Sequence, residues 1–367
     1  MVKIGIDARL AAYRDGGIAE YTRHLIKALA MLDADNDYAI LHHARAKESL
    51  VYTKNQRHVR TFTPPHHRLE AWSLGMEIVR LGLDILHTPD FIPPRFGAHR
   101  YVISVHDLTF VRYPQFQTAD SLNYYASGIQ RACRQASHIL TISESSKRDI
   151  CEFLKVAPEK VTVHFPGVDG RFCPLPQSRV ESTLHRYQLP YGYFLFVGTF
   201  EPRKNLEGLL EAYAQLQPHS QFPPLVIVGR RGWLYKEIFE RVEALKLADR
   251  VLWREDIPTE DLPAIYNGAS VLIQPSFYEG FGLPPLEAMA CGIPTVVANT
   301  SSLPEVVGQA GLLVDPYQPE GIAEGMRRAI TDSAWRKLAI TQGLYRAAQF
   351  TWQHTAQIAL TVYHNVS

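Results

Sequence analysis

Short, almost continuously apolar runs alternate with helical patterns along the whole chain, and that alternation constrains the fold more than any other feature. The runs Val2–Ile6, Tyr38–Leu41, Ile85–His87, Tyr101–Val105, Ile139–Ile142, Phe194–Val197, Leu225–Val228, Val271–Gln274 and Thr295–Ala298 are apolar with little polar alternation. A strand of this kind must be covered on both faces, which is the situation in a parallel sheet flanked by helices. Ala19–Leu32, Asn205–Leu216 and Tyr235–Leu245 carry the helical periodicity that would supply the cover. The expected class is therefore α/β, doubly wound.

At 367 residues the chain is long enough for two such sheets. The stretch Phe165-Pro-Gly-Val-Asp-Gly-Arg-Phe-Cys-Pro-Leu-Pro176 holds three prolines and two glycines between the two series, which suits an exposed boundary. The first domain is accordingly expected over 1–172 and the second over 173–350. Thr351–Val366 places Trp352, Ala356, Ala359, Leu360 and Tyr363 at helical spacing. In parallel sheets ligands bind beyond the carboxyl ends of the strands, so functional residues are expected just after strands.

Composition removes several alternatives. Lys plus Arg number 38 against 37 Asp plus Glu, a formal +1, which provides no bulk attraction for nucleic acid. The four cysteines stand far apart, without a CxxC pair, so neither a disulfide framework nor a zinc module is expected. No apolar run approaches the roughly 18–20 residues of a membrane span, and the N-terminus opens directly in a strand pattern. The expected location is the cytoplasm. Neither the P-loop string nor G-x-G-x-x-G occurs, so ATPase and dehydrogenase readings lack their fingerprints.

The most informative post-strand segment is Pro275-Ser-Phe-Tyr-Glu-Gly-Phe-Gly-Leu-Pro-Pro-Leu-Glu-Ala-Met-Ala-Cys-Gly292. Gly280 and Gly282 remove side chains where a ligand could approach the backbone. Pro284 and Pro285 suit the first turn of a helix and Gly292 its end. Glu279 thus falls in the loop and Glu287 on the helix it opens, with the amides of Phe281, Gly282 and Leu283 disposed to meet an anion. Taken alone, the pair of glutamates reads more readily as a glycine turn before a capped helix; the full string is far more specific than the pair. A second segment, Gly198-Thr-Phe-Glu-Pro-Arg-Lys-Asn205, also joins a strand to a helix and carries Arg203 and Lys204; its rival reading is two solvated basic residues at a helix start.

The first of these strings resembles the E-x7-E region of the retaining, nucleotide-sugar-dependent glycosyltransferases of family GT4 (glycosyltransferase group 1). Gly16-Gly17-Ile-Ala-Glu-Tyr, Val105-His-Asp-Leu, Thr141-Ile-Ser-Glu-Ser-Ser, Pro166-Gly-Val-Asp169, Val197-Gly-Thr-Phe-Glu-Pro-Arg-Lys-Asn205 and Gly311-Leu-Leu-Val-Asp-Pro316 are similar to the same family and run in its order. The resemblance implies the GT-B fold, two facing Rossmann-like domains with a cleft between them, and a last helix, 351–367, returned to the first domain.

It also implies roles. Glu287 would accept from the donor ribose and Glu279 would face the donor sugar. Arg203 and Lys204 would hold the diphosphate, which a protein working without metal must neutralise with side chains. The family pattern has an Arg where Thr199 stands, and Arg203 would substitute for it from the next turn. His106 would face the donor sugar, although an isolated histidine at a strand end is more often structural, and Gly16 and Gly17 would let backbone amides approach phosphate or acceptor, with a plain Gly-Gly turn as the rival reading. Asp256 and Ile257 would lie at the base. An aspartate there can accept from both the N1–H and N2–H of guanine, which favours GDP-linked over UDP-linked donors and mannose first. The implied enzyme is a metal-independent hexosyltransferase, with no cofactor besides the nucleotide sugar, acting on a saccharide or lipid-linked acceptor. A lipid-linked acceptor would bring the protein to the inner face of the membrane, although no basic amphipathic helix stands out. A non-catalytic sugar-nucleotide binder or partner subunit and a nucleotide-sugar epimerase are the alternatives. The sequence does not address oligomeric state.

Other signals carry less. The D-x-D spacings of Asp33-Ala-Asp35-Asn-Asp37 precede a strand, the wrong end of a parallel sheet for a ligand. The doublets His42-His43 and His66-His67 point neighbouring rings apart. Trp72, Tyr124 and Tyr125 could stack on a sugar, but burial in a core is the default for such aromatics.

Overall fold

A computed structural model describes the chain apart from residues 14, 15, 91, 117, 118, 233, 234 and 256, with the backbone alone at 119–124, 126, 127 and 219. Two compact units are present: Met1–Gly167 together with Thr351–Ser367, and Val168–Phe350. The chain leaves the first unit inside the Pro-rich stretch and re-enters it at Thr351.

Among the described residues of the first unit seven strands form one parallel sheet: β1 (Lys3–Asp7), β2 (Asp37–His43), β3 (Gln56–Thr61), β4 (Leu83–Thr88), β5 (Ala98–Val105), β6 (His138–Thr141) and β7 (Val161–Val163). Their order is β3-β2-β1-β4-β5-β6-β7. The second unit has six: β8 (Tyr193–Val197), β9 (Leu225–Gly229), β10 (Val251–Glu255), β11 (Ala269–Gln274), β12 (Thr295–Ala298) and β13 (Gly311–Val314), in the order β10-β9-β8-β11-β12-β13. Every pairing is parallel, for example Ile6 opposite Ile40 in the first sheet and Leu195 opposite Val226 in the second. Each order reverses once, between β1 and β4 in one sheet and between β8 and β11 in the other. That reversal opens a crevice at the carboxyl ends of the two central strands.

The apolar runs form the middle of both sheets because only central strands are covered on both faces. Ile4, Ile6, Ile40, Leu41, Ile85 and Leu86 are fully buried in the first unit, as are Phe194, Phe196, Leu225, Ile227, Val271 and Ile273 in the second. Each such side chain contributes about 1.5–3 kcal/mol. Four strands absent from the sequence expectation, β3, β7, β10 and β13, are all sheet edges. One side of an edge strand meets solvent, which is why Gln56-Arg-His-Val-Arg-Thr61 and Val251-Leu-Trp-Arg-Glu255 carry polar residues and lack the apolar signature.

The last helix, Trp352–Val366, packs on the helix Gly17–Leu32 of the first unit. Thr351 caps it, accepting from His354 N at 3.2 Å. Trp352, Ala356, Ala359, Leu360 and Tyr363 are buried. Gly167 makes the approach possible, since a Cβ there would stand 2.2 Å from Trp352 N. Tyr363 Oη and His87 Nδ1 are hydrogen-bonded at 2.6 Å, and Thr355 Oγ1 donates to Phe165 O at 2.6 Å.

Candidate active site

The crevice of the second sheet is lined by the loops that follow β8 and β11, and these are the loops carrying Arg203, Lys204 and Glu279. After β8 the chain makes a 3-10 turn, Pro202–Lys204, with Pro202 at its first position. It enters the helix Leu206–Ala214 through Asn205, which has φ 57°. Asparagine tolerates this left-handed conformation, and its side chain holds the junction. Nδ2 donates to Pro275 O at 3.0 Å and Pro316 O at 2.7 Å, while Oδ1 accepts from Gly208 N at 3.3 Å. Arg203 O accepts from Phe277 N at 3.0 Å, so the two loops are tied together through backbone.

Glu279 is the hub between them, 6% exposed and fully hydrogen-bonded. Lys204 Nζ donates to both carboxylate oxygens at 2.7 and 2.9 Å, and Arg203 donates to one at 2.8 Å. Ser276 Oγ and Gln274 Nε2 complete the shell at 2.8 and 3.1 Å. Burial by itself pushes this carboxyl up; the Lys204 and Arg203 charges and the hydrogen bonds outweigh it and bring Glu279 from its ordinary 4.5 to about 2. Glu279 is therefore ionised at neutral pH. Arg203 is held a second time by Glu201 at 2.5 Å. Lys204 is only 8% exposed, so the reading of two solvated basic residues at a helix start is corrected: both are drawn inward by Glu279.

The helix Leu283–Ala290 opens at Gly282, whose φ of 118° no other residue adopts without strain. Ser301 and Ser302, after β12, hold the loop before it. Glu279 N donates to Ser301 Oγ at 2.9 Å, and Ser302 Oγ lies 2.6 Å from Phe281 O and 2.8 Å from Glu279 O. Glu287 sits on that helix, half-buried, and accepts from Tyr266 Oη at 2.7 Å. Phe281 is buried against Phe350, and Leu283 is half-buried. Thr199 is exposed on the β8 loop and Ile257 is half-buried after β10, while Asp256 lies outside the described residues. Gln274, Ser276, Ser301, Ser302 and Tyr266 were not singled out from the sequence. Their signal is positional: four of them end a strand or follow one directly.

The remaining candidates belong to the first unit. His106 follows β5 and donates from Nε2 to Pro89 O at 2.7 Å, which fixes the Nε2–H tautomer and leaves Nδ1 as an acceptor. Burial keeps its pKa below the usual value, so the ring is neutral. Tyr21 packs edge-on to it at 4.7 Å, and Ser146 donates to its carbonyl at 2.9 Å from the helix that Ser143 caps. Asp107 accepts from Thr109 N at 2.9 Å, a local turn. Gly16 and Gly17 open the helix after β1, and a Cβ on either would meet open space.

Of the discounted signals, Asp33 is committed to its own turn, accepting from Tyr38, Asn36 and the Asp35 amide. His42 stacks on His58, and burial lowers it to about 4. His66 pairs with Asp90. Tyr125 stacks on Phe110 as a core aromatic should. The side chain of Tyr124 lies outside the described residues. Trp72 departs from the default, being 53% exposed.

Comparison with known proteins bears on the same segments. The family described as Glycosyl transferases group 1 matches residues 186–343, and Glycosyltransferase Family 4 matches residues 15–171. The O-antigen chain mannosyltransferase B of Escherichia coli is 31% identical over 369 residues, covering 95% of each chain. Among solved structures, a sucrose-phosphate synthase from Thermosynechococcus elongatus has a TM-score of 0.79 at 22% identity over 100% of this chain and 99% of that one. Anabaena Alr3699/HepE in complex with UDP and glucose has a TM-score of 0.77 at 18% identity, covering 99% and 100%. At these identities the structural likeness speaks to fold alone.

Proposed function

Because the chain belongs to the family 4, group 1 glycosyltransferases, with the GT-B fold of its structural relatives, we propose that it moves mannose from GDP-mannose to a hydroxyl of a saccharide or lipid-linked acceptor, with retention and without metal. The chain is an enzyme of the glycosyltransferase type. The observation that carries the finer reading is the joining of Arg203 and Lys204 on the carboxylate of Glu279 at the crevice of the second sheet. Two like charges held side by side by one anion form a preorganised cation pair, which is what a departing diphosphate requires. Glu287, which accepts from Tyr266 Oη at 2.7 Å, would accept from the ribose hydroxyls as well.

In the proposed reaction the bond between the anomeric carbon and the phosphate oxygen breaks, and the acceptor oxygen bonds to the same face. The acceptor proton passes to the leaving phosphate, whose negative charge Arg203 and Lys204 hold. Glu279, ionised, stabilises positive charge developing at the anomeric carbon. The mannosyl assignment draws on the Escherichia coli relative, and the guanine preference on Asp256. UDP-linked donors rank second. The test is transfer from GDP-mannose in EDTA to lipid-linked oligosaccharide acceptors, with proton NMR of the new anomeric centre. An α-linked product supports the reading; a β-linked product, or transfer that stops in EDTA, overturns it.

A further inference from the structure

The helix Glu70–Ile78 is apolar on two sides. Its inner face buries Leu74, Gly75 and Ile78. Outward it presents Leu69, Trp72, Met76 and Val79, at the three- and four-residue spacing of a single stripe, and these are 62%, 53%, 64% and 51% exposed. Phe62, 66% exposed, is fastened beside them because its amide donates to Glu77 on this helix at 2.6 Å. Large exposed apolar side chains scattered singly need no explanation; five on one helix and its adjoining loop do.

Four arginines lie beside the stripe. Arg68 precedes Leu69 and Arg80 follows Val79, both exposed. Arg95 lies 4.8 Å over the Trp72 ring and Arg60 5.4 Å over Phe62. The two acids of the helix are both engaged in hydrogen bonds, Glu70 in the interior and Glu77, half-buried, beside Phe62. Glu70 binds Arg9 and the His66 amide, and Glu77 binds the Phe62 and Thr63 amides. Aromatics with a rim of guanidinium groups match the boundary of an anionic bilayer, where rings enter the headgroup layer and cations remain at phosphate level. A second copy fits poorly. A two-fold contact would set the four arginines against their own images, and five side chains fall far short of the roughly 20–30 residues per partner in a stable interface.

We propose that this face of the first unit docks the enzyme on an anionic lipid surface. The helix itself carries no basic residue, in keeping with the expectation that no basic amphipathic helix stands out; the arginines come from its flanks and from neighbouring segments. In sequence the inward Leu74 and Ile78 and the outward stripe merge into one apolar stretch. The inference is independent of the donor and of the residues assigned above.

The test is co-sedimentation of the full chain with vesicles of phosphatidylcholine alone and with about 30% phosphatidylglycerol, alongside sedimentation velocity without lipid. The expected result is pelleting with the anionic vesicles, released by salt. The W72S/M76S double variant should bind about 10-fold more weakly, and R60Q and R95Q each about 5-fold. All these side chains are exposed, so thermal unfolding should be unchanged, and the arginine variants remain informative if the double variant does not fold. Absence of pelleting, equal pelleting with neutral vesicles, or variants that bind like the wild type would overturn the proposal. So would a concentration-dependent dimer that the double variant abolishes.

Discussion

Replacing Glu279 by Gln keeps the shape of the hub and removes its charge, and the structure gives opposite signs for two consequences. The folded carboxyl titrates at about 2 against an ordinary 4.5, so its ionised form stabilises the fold by on the order of 3 kcal/mol at neutral pH. The sign follows from the depression. Stability is fully present above 4.5 and is lost as pH falls from 4.5 toward 2. E279Q should therefore be less stable by about that amount at pH 7, and the gap to wild type should close across that window. Ligand binding moves the other way. Glu279 competes with a diphosphate for Arg203 and Lys204, so removing its charge should tighten GDP binding while transfer falls on the order of 100-fold or more. Thermal unfolding from pH 7 to 3 and calorimetric titration with GDP measure both. Weaker GDP binding in E279Q, or a stability gap that persists unchanged to pH 3, would refute the reasoning.

Further outcomes follow from the same geometry. Lys204→Ala should lower kcat on the order of 100-fold in steady-state transfer assays; near-normal turnover removes Lys204 from the phosphate site. Tyr266→Phe should raise the donor KM roughly 10-fold with kcat nearly unchanged, since it removes one charge-assisted bond from Glu287; a change in kcat alone contradicts a positioning role. Gly229→Ala places a Cβ 1.8 Å from Gly198 O and should lower stability by about 1–3 kcal/mol or more in chemical unfolding. His164 is buried, and burial lowers it from 6.5 to about 3. Acid unfolding should therefore begin to draw on it below pH 6.5, well before Glu279 contributes, and a His164→Gln variant should show a shallower early slope, reduced by one proton's share, because His42, His87 and His106 are lowered by burial as well.

The sequence was most legible where burial is two-sided. β1, β2, β4, β5 and β6 and the central strands of the second sheet announce themselves because both faces must be apolar, whereas β3 and β10, with one side open, read as polar segments. The paired glutamates and the Arg203–Lys204 turn were visible because glycine, proline and post-strand position mark them locally. Their mutual contact was not. Arg203 and Glu279 are 76 residues apart and meet only because β8 and β11 are neighbours at the reversal of strand order. Ser302 and Tyr266, which brace the loop and Glu287, carry no local mark of their task. The docking stripe was hidden because exposure is a tertiary property. Leu74 and Met76 are equally apolar in sequence, yet one faces the sheet and the other solvent.

In the proposed reaction the crevice between β8 and β11 holds a nucleoside diphosphate on Arg203 and Lys204. The most direct test of this binding is thermal unfolding in EDTA with GDP, UDP and ADP, on the wild type and on Lys204→Ala. At 100 times Kd, binding adds about 2.7 kcal/mol of stability. Such a rise is expected for the wild type, largest with GDP, and is nearly lost in the variant. A variant stabilised as much as the wild type, or a wild type that responds to none of the three, would contradict it.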